Sequence, residues 1–411
     1  MKRVLILDWS EEWRFYITRA LEELNCEAFL AMEQFRATPS FIKGILIIKN
    51  LYKNPIEHLN KIIQYMEENN IDSIFTCEDE LVELAAKVAE SKNLITCPSK
   101  VINKCMNKFE VRRELECKDV KMPFYKKIQS INDLLSISKL IDYPIILKPI
   151  DGNFSNGAIK VNSPKAIEAA WEYAYKATFD SPSNSREIIM EEYLSDEDRV
   201  ISCEAVIIER KVYIVGLTEE RQRKHIDISK NETFIYDMML VPAQLDKDIQ
   251  CSIEEQTKKI VSNLGLDNCL VHVEYKIKDG VPKFLEINPR IAGGLIPELF
   301  KIALGIDLAK IAIKLAMRQH IEETELKKSI DRVACAKFIV SEHSGTIENI
   351  SYDNNLNSLD LDCLKMVLKK GDTFRLGELF GIGYIICSSN LTADAIEKTK
   401  KVLDGIKIEI S

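Results

Sequence analysis

Residues 284–294 read FLEINPRIAGG, a strand-like run that is interrupted by Glu286, Asn288 and a Pro-Arg pair. Buried strands usually avoid Glu, Asn and Pro, because these residues pack poorly on a sheet or lack a backbone donor. Side chains alternate between the two faces of a strand, so Glu286, Asn288 and Arg290 are predicted to share one face, with the leucine and isoleucine between them on the other. The stretch therefore predicts a strand that presents polar groups for binding.

A hairpin is predicted to bring a second carboxylate to this face. The preceding strand, CLVHVEYKI (269–277), is followed by Lys-Asp-Gly at 278–280, which we interpret as a three-residue loop. A loop of odd length places Glu274 on the face of Glu286 and diagonal to it, whereas a two-residue loop would place the carboxylates on opposite faces. Glu274, Glu286 and Asn288 are hard oxygen ligands that predict Mg²⁺ or Mn²⁺. An ordinary hairpin with a solvated polar face is the alternative.

Groups that suit an anion follow the predicted metal site. Arg290 can bind a phosphoryl oxygen or a carboxylate in bidentate fashion. Gly293 and Gly294 allow the backbone to approach an anion closely, and a helix predicted over residues 296–315 adds its positive N-terminal end. A magnesium site with few protein ligands favours a nucleoside triphosphate.

Composition restricts the class of protein. With 411 residues, 46% hydrophobic and 29% charged, the chain is predicted to be a globular protein of about two to four domains. We find no apolar run of the roughly 18 residues that span a membrane, and the N-terminal MKRVLILDWSEEW resembles a first strand, so a cytoplasmic protein without a membrane partner is expected. Eleven scattered cysteines without a Cys-x-x-Cys pair favour buried thiols over disulfides or zinc. A net charge of -8 without a basic block argues against nucleic acid as a partner.

Four regions are predicted along the chain. Residues 1–100 alternate apolar strands with helical patterns, which indicates a doubly wound parallel sheet. No Gly-x-Gly-x-x-Gly turn follows the first strand, so NAD is not expected there. Residues 101–190 and 191–328 mix helical and strand-like patterns, and residues 329–411 are predicted to form a small α+β domain. The expected fold class is therefore α/β and α+β multidomain.

A glycine-containing turn is a candidate phosphate site. In YPIILKPIDGNFSNGAIKV (143–161) a strand ends at Lys148, a turn with Gly152, Ser155 and Gly157 follows, and a second strand begins. Backbone amides of such a turn can surround phosphates while the lysine neutralises them. It is not a Walker A loop, because the lysine precedes the glycines and no helix follows. A plain glycine-containing hairpin is the alternative.

Two further segments carry charge. EIIMEEYL (187–194) is an apolar strand that runs into two glutamates, a segment that can offer backbone groups to an adenine edge or be an ordinary strand end. NKFEVRREL (107–115) places Lys108 and Arg112 one helical turn apart, a spacing usually found on a solvated face. His272 is interpreted as a satisfied strand residue that lines the site rather than as a metal ligand.

In this order and spacing, the segments resemble the ATP-grasp superfamily over most of the chain. The resemblance rests on Lys108, on Tyr-Pro-Ile-Ile-Leu-Lys148-Pro, on Met-Glu191-Glu192-Tyr-Leu, and most specifically on His-x-Glu274 followed by Glu286-x-Asn288-Pro-Arg290. The Ala-Gly-Gly-Leu-Ile-Pro continuation and the segment FGIGYIICSSNLTADAIEKTKKVL (380–403) are similar to carboxylate-amine ligases of the L-amino acid ligase (dipeptide synthetase) type.

The resemblance implies a central ATP-grasp domain, with residues 101–190 as its first part carrying a lid and residues 191–328 as its second part with the metal and phosphate site. It also implies a role for each matched residue. ATP would be bound by Lys108, Lys148, Ser155, Gly157, Glu191, Glu192, Tyr193, Leu194 and Asp198. Magnesium would be held by Glu274, Glu286 and Asn288. Catalysis would rest on Arg290 and Lys148, with Arg290 stabilising an acyl phosphate and a tetrahedral intermediate. The substrates would contact Arg290, Gly293, Gly294, Tyr236 and Met239.

Some positions depart from the pattern of relatives. The lid turn carries Phe and Asn where relatives often carry Gly and a basic residue. Asp198 is taken as the acidic residue for ribose, because Val200 stands near the place where relatives have one. Tyr236 and Met239 replace the Glu and His of a Phe-Val-Glu-x-Gly-His segment, so a substrate other than a standard dipeptide is expected.

The expected reaction joins a small carboxylate and a small amine, with amino acids as the expected substrates and ATP as the energy source. A carboxylate would attack the γ-phosphate of ATP, and an amine would then displace phosphate from the acyl phosphate, without a protein nucleophile. A biotin-carboxylase-like or purine-pathway enzyme of the same superfamily, or a non-catalytic nucleotide-binding module, is the alternative. A homodimer is expected because it is the commonest assembly.

Overall fold

The structure is a computed structural model that describes residues 2–9, 12–139, 141–151, 156–179, 185–194, 199–226, 232–353, 361–375 and 381–411. The side chains of residues 223–226 and 232–236 lie outside this description. The strands are β1 (Arg3–Leu7), β2 (Glu27–Met32), β3 (Ile42–Ile47), β4 (Ser73–Phe75), β5 (Tyr125–Ile128), β6 (Ile145–Pro149), β7 (Ile159–Val161), β8 (Ile188–Glu192), β9 (Arg199–Ile208), β10 (Lys211–Ile226), β11 (Glu232–Val241), β12 (Cys269–Lys278), β13 (Val281–Asn288), β14 (Val333–Ile339), β15 (Gly345–Tyr352), β16 (Cys363–Met366), β17 (Thr373–Phe374), β18 (Gly383–Ser389) and β19 (Ile406–Ile410).

The helices are α1 (Phe15–Glu23), α2 (Leu59–Glu68), α3 (Val82–Ser91), α4 (Ser99–Met106), α5 (Lys108–Leu115), α6 (Ile131–Ile137), α7 (Ile167–Ala177), α8 (Lys247–Leu264), α9 (Ile296–Leu304), α10 (Leu308–Ala316) and α11 (Thr392–Asp404). Short 3-10 turns lie at Pro55–His58, Asp79–Leu81, Pro164–Ala166 and Glu323–Leu326. Among the helices of the described ranges, none has both the length and the apolar composition needed to cross a bilayer.

The N-terminal sheet is parallel, as predicted. Its strand order is β3-β2-β1-β4, and the apolar run of β1 is almost wholly buried. The carboxyl ends of β1 and β4, which are neighbours in the sheet, place Asp8 and Asp79 at the same edge. Helix α1 packs on α10, so the N-terminal region shares a hydrophobic core with the helices that follow the central hairpin.

A small antiparallel sheet of strand order β5-β8-β6-β7 lies in the region for which a lid was predicted, and we call it the lid sheet. Helices α6 and α7 cover one face of it, with Ile128, Leu147 and Met190 in the buried core. The turn between β6 and β7 contains residues 152–155, which lie outside the described residues.

The largest sheet has eight strands in the order β13-β12-β9-β10-β11-β14-β18-β16. Alternation divides its faces, because Ile201 and Cys203 on β9 and Val273 on β12 join a core with α8, while Ser202 and Glu204 on β9 project from the other face. Strands β14, β16 and β18 come from the last part of the chain and continue this sheet, and a separate sheet of order β17-β15-β19 packs beyond them.

One predicted helix is divided in the structure. The helix predicted over residues 296–315 is wrong as a single element, because Gly305 takes a left-handed conformation (φ 72°) and separates α9 from α10. Earlier in the chain, Asn107 separates α4 from α5 and caps α5 by accepting a hydrogen bond from the Glu110 N–H. Lys108 therefore lies in the first turn of α5.

Candidate active site

The hairpin of β12 and β13 brings the two predicted carboxylates together by a route that differs from the prediction. Lys278 pairs with Val281, so the connection is a two-residue turn and the predicted three-residue loop is wrong. Asp279 and Gly280 both have positive φ (52° and 74°), as such a turn requires. A register shift between Glu274 and Tyr275 then returns Glu274 to the face of Glu286.

That register shift is a bulge at Leu285. Tyr275 pairs with Phe284 and Glu274 pairs with Glu286, which leaves Leu285 as the extra residue on β13. Glu274 and Glu286 therefore share a face, as predicted, but they are directly opposite and not diagonal as expected. The bulge also turns Leu285 toward the cleft, where it lies beside Glu286 and Asn288, so its predicted packing on the other face is wrong. Asn288 Nδ2 lies 3.3 Å from Glu286 Oε1.

Two lysines face the carboxylates of this hairpin. Lys108 Nζ lies 3.2 Å from Glu286 Oε2, and Lys148 Nζ lies 2.8 Å from Glu191 Oε2. Burial alone would raise the pKa of Glu286, but the charges of Lys108 and Lys148 lower it to about 2. Burial lowers the pKa of the Lys148 ammonium, and Glu191 opposes that shift. The positive charges are thus concentrated where the anionic part of a nucleotide would meet the hairpin.

Arg112 supports both the bulge and the lysine pair. It is 0% exposed, and its Nε lies 2.6 Å from Glu191 Oε1. Its guanidinium also donates to the carbonyl oxygens of Phe284 (3.2 Å), which precedes the bulge, and of Leu285 (2.9 Å), the bulge residue. The prediction of a solvated face was therefore wrong for Arg112. The sequence signal was its one-turn spacing from Lys108, which did not reveal what the helix packs against.

Arg290 is held by the N-terminal region. Its Nε and Nη2 donate to Asp79 Oδ1 (2.5 Å) and Oδ2 (2.6 Å), and its Nη1 donates to the Ile291 carbonyl oxygen (2.8 Å). Arg290 lies beyond the last residue of β13 rather than on the strand face as predicted, yet it lines the same cleft. Asp79 was missed because nothing in the sequence near residue 79 points to residue 290.

The cleft enclosed by these groups measures about 1310 Å³, counting the space open to solvent. Its walls come from the lid sheet, the first turn of α5, the large sheet with its hairpin and the loop that follows, and the turn after β4. The predicted site residues that line it are Lys108, Lys148, Glu191, Glu192, Tyr193, Leu194, Met239, Glu274, Glu286, Asn288, Arg290, Gly293 and Gly294.

Residues 141–298, which contain most of these groups, match the model of the ATP-grasp domain family. The chain contains an ATP-grasp domain. Alanine–anticapsin ligase of Bacillus amyloliquefaciens is 25% identical over 274 residues, which cover 62% of this chain and 56% of that ligase. The carbamoyl phosphate synthase large chain of Helicobacter pylori is 25% identical over 312 residues, 74% of this chain and 27% of that one.

The fold outside the ATP-grasp domain is also shared with a solved structure. L-amino acid ligase from Bacillus licheniformis superposes with a TM-score of 0.85 at 20% identity, covering 100% of this chain and 99% of that one. The chain spans about half the length of the alanine–anticapsin ligase that it matches. The predicted superfamily and fold class are therefore confirmed.

Two backbone N–H groups at the end of β8 are hydrogen-bonded within the protein. Glu192 N–H donates to the Phe124 carbonyl oxygen (2.8 Å), and Tyr193 N–H donates to that of Pro144 (3.3 Å). The Lys160 ammonium lies 4.2 Å from the Tyr193 ring centroid. Tyr193 and Leu194 are buried and line the cleft.

The lid glycine is fixed by packing in this ATP-grasp domain. Gly157 has φ +74°, and a Cβ there would lie 2.4 Å from the Ala177 Cβ and 2.9 Å from Pro149 Cδ. The predicted ATP contacts Ser155 and Asp198 lie outside the described residues, as does the side chain of Tyr236. Their roles stay predictions.

A buried acidic group borders the ATP-grasp cleft, and two of its members, Glu204 and Glu220, were not singled out from the sequence. His272 Nδ1 lies 2.8 Å from Glu204 Oε1 and its Nε2 lies 3.2 Å from Glu274 Oε1. Burial alone would lower the pKa of His272, but Glu204 and Glu274 raise it well above its usual value. Glu220, on β10, completes the group at the cleft wall. The sequence signal for Glu204 was a polar residue within the apolar run VISCEAVII, whereas Glu220 lies in the charged run TEERQRK and had no distinguishing signal.

Proposed function

We propose that this protein is an ATP-dependent carboxylate-amine ligase that forms an amide or peptide bond between small substrates, with amino acids as the substrate class. The observation that carries the proposal is the directly opposed pair Glu274 and Glu286, facing Lys108 and Lys148 in one cleft with Arg290. The names of the relatives support an enzyme that forms carbon–nitrogen bonds, since they include a dipeptide-type ligase and an L-amino acid ligase.

Lys108 and Lys148 are assigned to the phosphates of ATP. Both ammonium groups lie at the cleft beside carboxylates, so each can exchange a protein anion for a phosphate oxygen. Glu191 is reassigned from adenine contact to positioning, because both its oxygens are engaged by Arg112 and Lys148. We place adenine against Tyr193 and Leu194, which line the cleft next to this strand end.

The metal site is assigned to Glu274, Glu286 and Asn288. These residues fit magnesium or manganese because they offer two carboxylates and one amide oxygen at the same end of a hairpin. The lowered pKa of Glu286, about 2, keeps that ligand ionised at neutral pH. A bound magnesium ion would neutralise charge on the phosphates; Lys108 and Lys148 would share that task.

The reaction assigned to the cleft proceeds in two steps. A substrate carboxylate oxygen attacks the γ-phosphorus of ATP, the bond to the β–γ bridging oxygen breaks, and ADP leaves. The nitrogen of the second substrate, after losing a proton, attacks the acyl carbon, and phosphate departs as the amide forms. Arg290, held in one orientation by Asp79, stabilises the negative charge that develops on the acyl phosphate and on the tetrahedral intermediate.

The test is magnesium-dependent phosphate release from ATP in the presence of single and paired amino acids, small carboxylates and small amines. Release that needs two partners, with a product mass one water below their sum, is the expected result. Release with bicarbonate alone would instead identify a bicarbonate-activating enzyme. ATP binding without turnover under every pair would identify a nucleotide-binding module and contradict the proposal.

A further inference from the structure

Glu220 lies at the cleft wall, and one of its carboxylate oxygens accepts no hydrogen bond from the described residues. The residue is 2% exposed, and its Oε1 has no hydrogen-bond partner among the residues that the structure describes. Its cross-strand neighbours are Val200 on β9 and Met239 on β11, both of which also line the cleft. A buried carboxylate oxygen bordered by apolar side chains is costly unless a donor or a cation satisfies it.

The adjoining group adds negative charge at the same place. One ligand atom each of Glu220, His272 and Glu274 lies within 4.8 Å of the others, and Glu204 stands on the far side of the His272 ring. Three carboxylates therefore surround one imidazole. Even with the imidazole protonated, the group carries excess negative charge.

A metal ion fits this group less well than an ammonium ion does. Both ring nitrogens of His272 lie within hydrogen-bond distance of carboxylates, at 2.8 Å from Glu204 and 3.2 Å from Glu274. An imidazole that donates at both nitrogens has no lone pair to offer a metal. Glu274 is already assigned, with Glu286, to the magnesium site. An ammonium needs only oxygen acceptors, and its N–H groups can meet Glu220 Oε1 directly.

We propose that Glu220 binds the protonated amino group of a substrate, so that one substrate of this enzyme is a primary amine such as an α-amino acid. The inference rests on the proposed ligase function and deepens it, because it assigns a residue and a charge state to one substrate subsite. Val200 and Met239 flank the carboxylate, so the part of the substrate next to its ammonium group contacts apolar surface.

The test is a binding measurement that does not depend on turnover. Isothermal titration with the protein in MgADP compares each of the proteinogenic L-amino acids with its des-amino carboxylic acid, in the unmodified protein and in Glu220→Gln. We expect at least one amino acid to bind more tightly than its des-amino partner. Glu220→Gln is expected to weaken the binding of that amino acid by about 10- to 100-fold, and to leave ADP binding unchanged.

The matched control is Glu219→Gln. Glu219 is the adjacent residue of β10, its side chain points away from the cleft, and its Oε1 accepts from Arg221 Nε at 2.7 Å. This variant should keep the preference for the amino acid. Circular dichroism and melting temperature verify that both variants fold.

Three results would overturn the assignment: equal binding of the amino acid and its des-amino partner, no binding of any amino acid, or unchanged amino acid binding in a folded Glu220→Gln. A raised magnesium requirement for ADP binding in Glu220→Gln, with the amino acid preference intact, would make Glu220 a metal ligand and also overturn it. The phosphate-release assay tests the ligase proposal, and the titration tests the role of Glu220. The two outcomes are distinguishable, because amino acid binding can be measured even where no phosphate is released.

Discussion

Asp79 binds Arg290 through both of its carboxylate oxygens, with 2.5 Å from Oδ1 to Nε and 2.6 Å from Oδ2 to Nη2. The two residues are 211 positions apart in the chain. Asp79 opens the 3-10 turn after β4, and Arg290 follows the end of β13. The N-terminal region thus fixes the orientation of the arginine to which we assign charge stabilisation in the reaction.

Substitution of Asp79 tests this positioning role. Asp79→Asn keeps the shape of the side chain but removes the charge that holds the guanidinium, so Arg290 can reorient. We expect kcat to fall by about 10- to 100-fold, with the KM for ATP unchanged within about twofold. Steady-state phosphate release measures both constants. An unchanged kcat in a folded Asp79→Asn protein would show that the ion pair serves only stability.

Removal of Arg290 itself should have a larger effect. Arg290→Ala is expected to lower kcat by about 100- to 1000-fold, as loss of one donor to a developing negative charge does in other enzymes. Arg290→Lys should not restore the rate, because a lysine cannot satisfy both oxygens of Asp79 with the same planar geometry. Near-normal turnover in Arg290→Lys would contradict a bidentate role.

Arg112 and its neighbour Arg113 form a matched pair for a stability measurement. Arg112→Met removes the partner of buried Glu191 and the donors to the carbonyl groups of the bulge, so unfolding free energy should fall by about 3 to 5 kcal/mol. Arg113 pairs with Glu110 on the surface. Arg113→Met should therefore change the unfolding free energy by less than about 0.5 kcal/mol. Urea unfolding gives both values. Equal effects of the two substitutions would contradict the buried network.

The stability of the protein should depend on Glu286 at acid pH. Its pKa is lowered from 4.5 to about 2 in the folded protein, so the stabilisation is complete above pH 4.5 and is lost as the pH falls from 4.5 toward 2. The difference in unfolding free energy between the unmodified protein and Glu286→Gln, measured with a chelator present, should therefore shrink over that window. The control is Glu255→Gln, which replaces an exposed residue of α8. The difference in unfolding free energy between this variant and the unmodified protein should stay constant over the same pH window.

The choice of metal follows from the ligands. After chelation of divalent ions, phosphate release should fall to background, and Mg²⁺ or Mn²⁺ should restore it, because carboxylate and amide oxygens favour these ions. Glu286→Gln should raise the magnesium concentration needed for half-maximal rate by about tenfold or more. Full activity in excess chelator would rule out the assigned metal site.

Much of the site could be recognised from the sequence because its residues are close together in the chain. Glu286, Asn288 and Arg290 lie within five positions, and the alternation of a strand is a local rule. Lys148 and Glu191 were found at strand ends, where apolar runs give way to charge. The apolar alternation in residues 1–100 likewise predicted a parallel sheet, which the order β3-β2-β1-β4 confirms.

The misjudged features are those that depend on a partner distant in the chain. The bulge at Leu285 depends on how β13 pairs with β12, and its carbonyl groups are satisfied by Arg112 from a helix more than 170 positions earlier. A one-residue change of register reverses which side chains face the cleft, and turn length alone does not fix it. The turn is one residue shorter than predicted and the bulge adds one residue, so the same-face prediction was right although the predicted loop length was wrong.

The sequence by itself determined the types of chemical group at the site and the sheet that carries them, because residue type and periodicity are local properties. Only the tertiary structure decided which charges meet: Asp79 with Arg290, Arg112 with Glu191, and Glu204 with His272. Those pairings depend on how the N-terminal region, the lid sheet and the large sheet pack, and a charged side chain becomes buried only where packing supplies its partner.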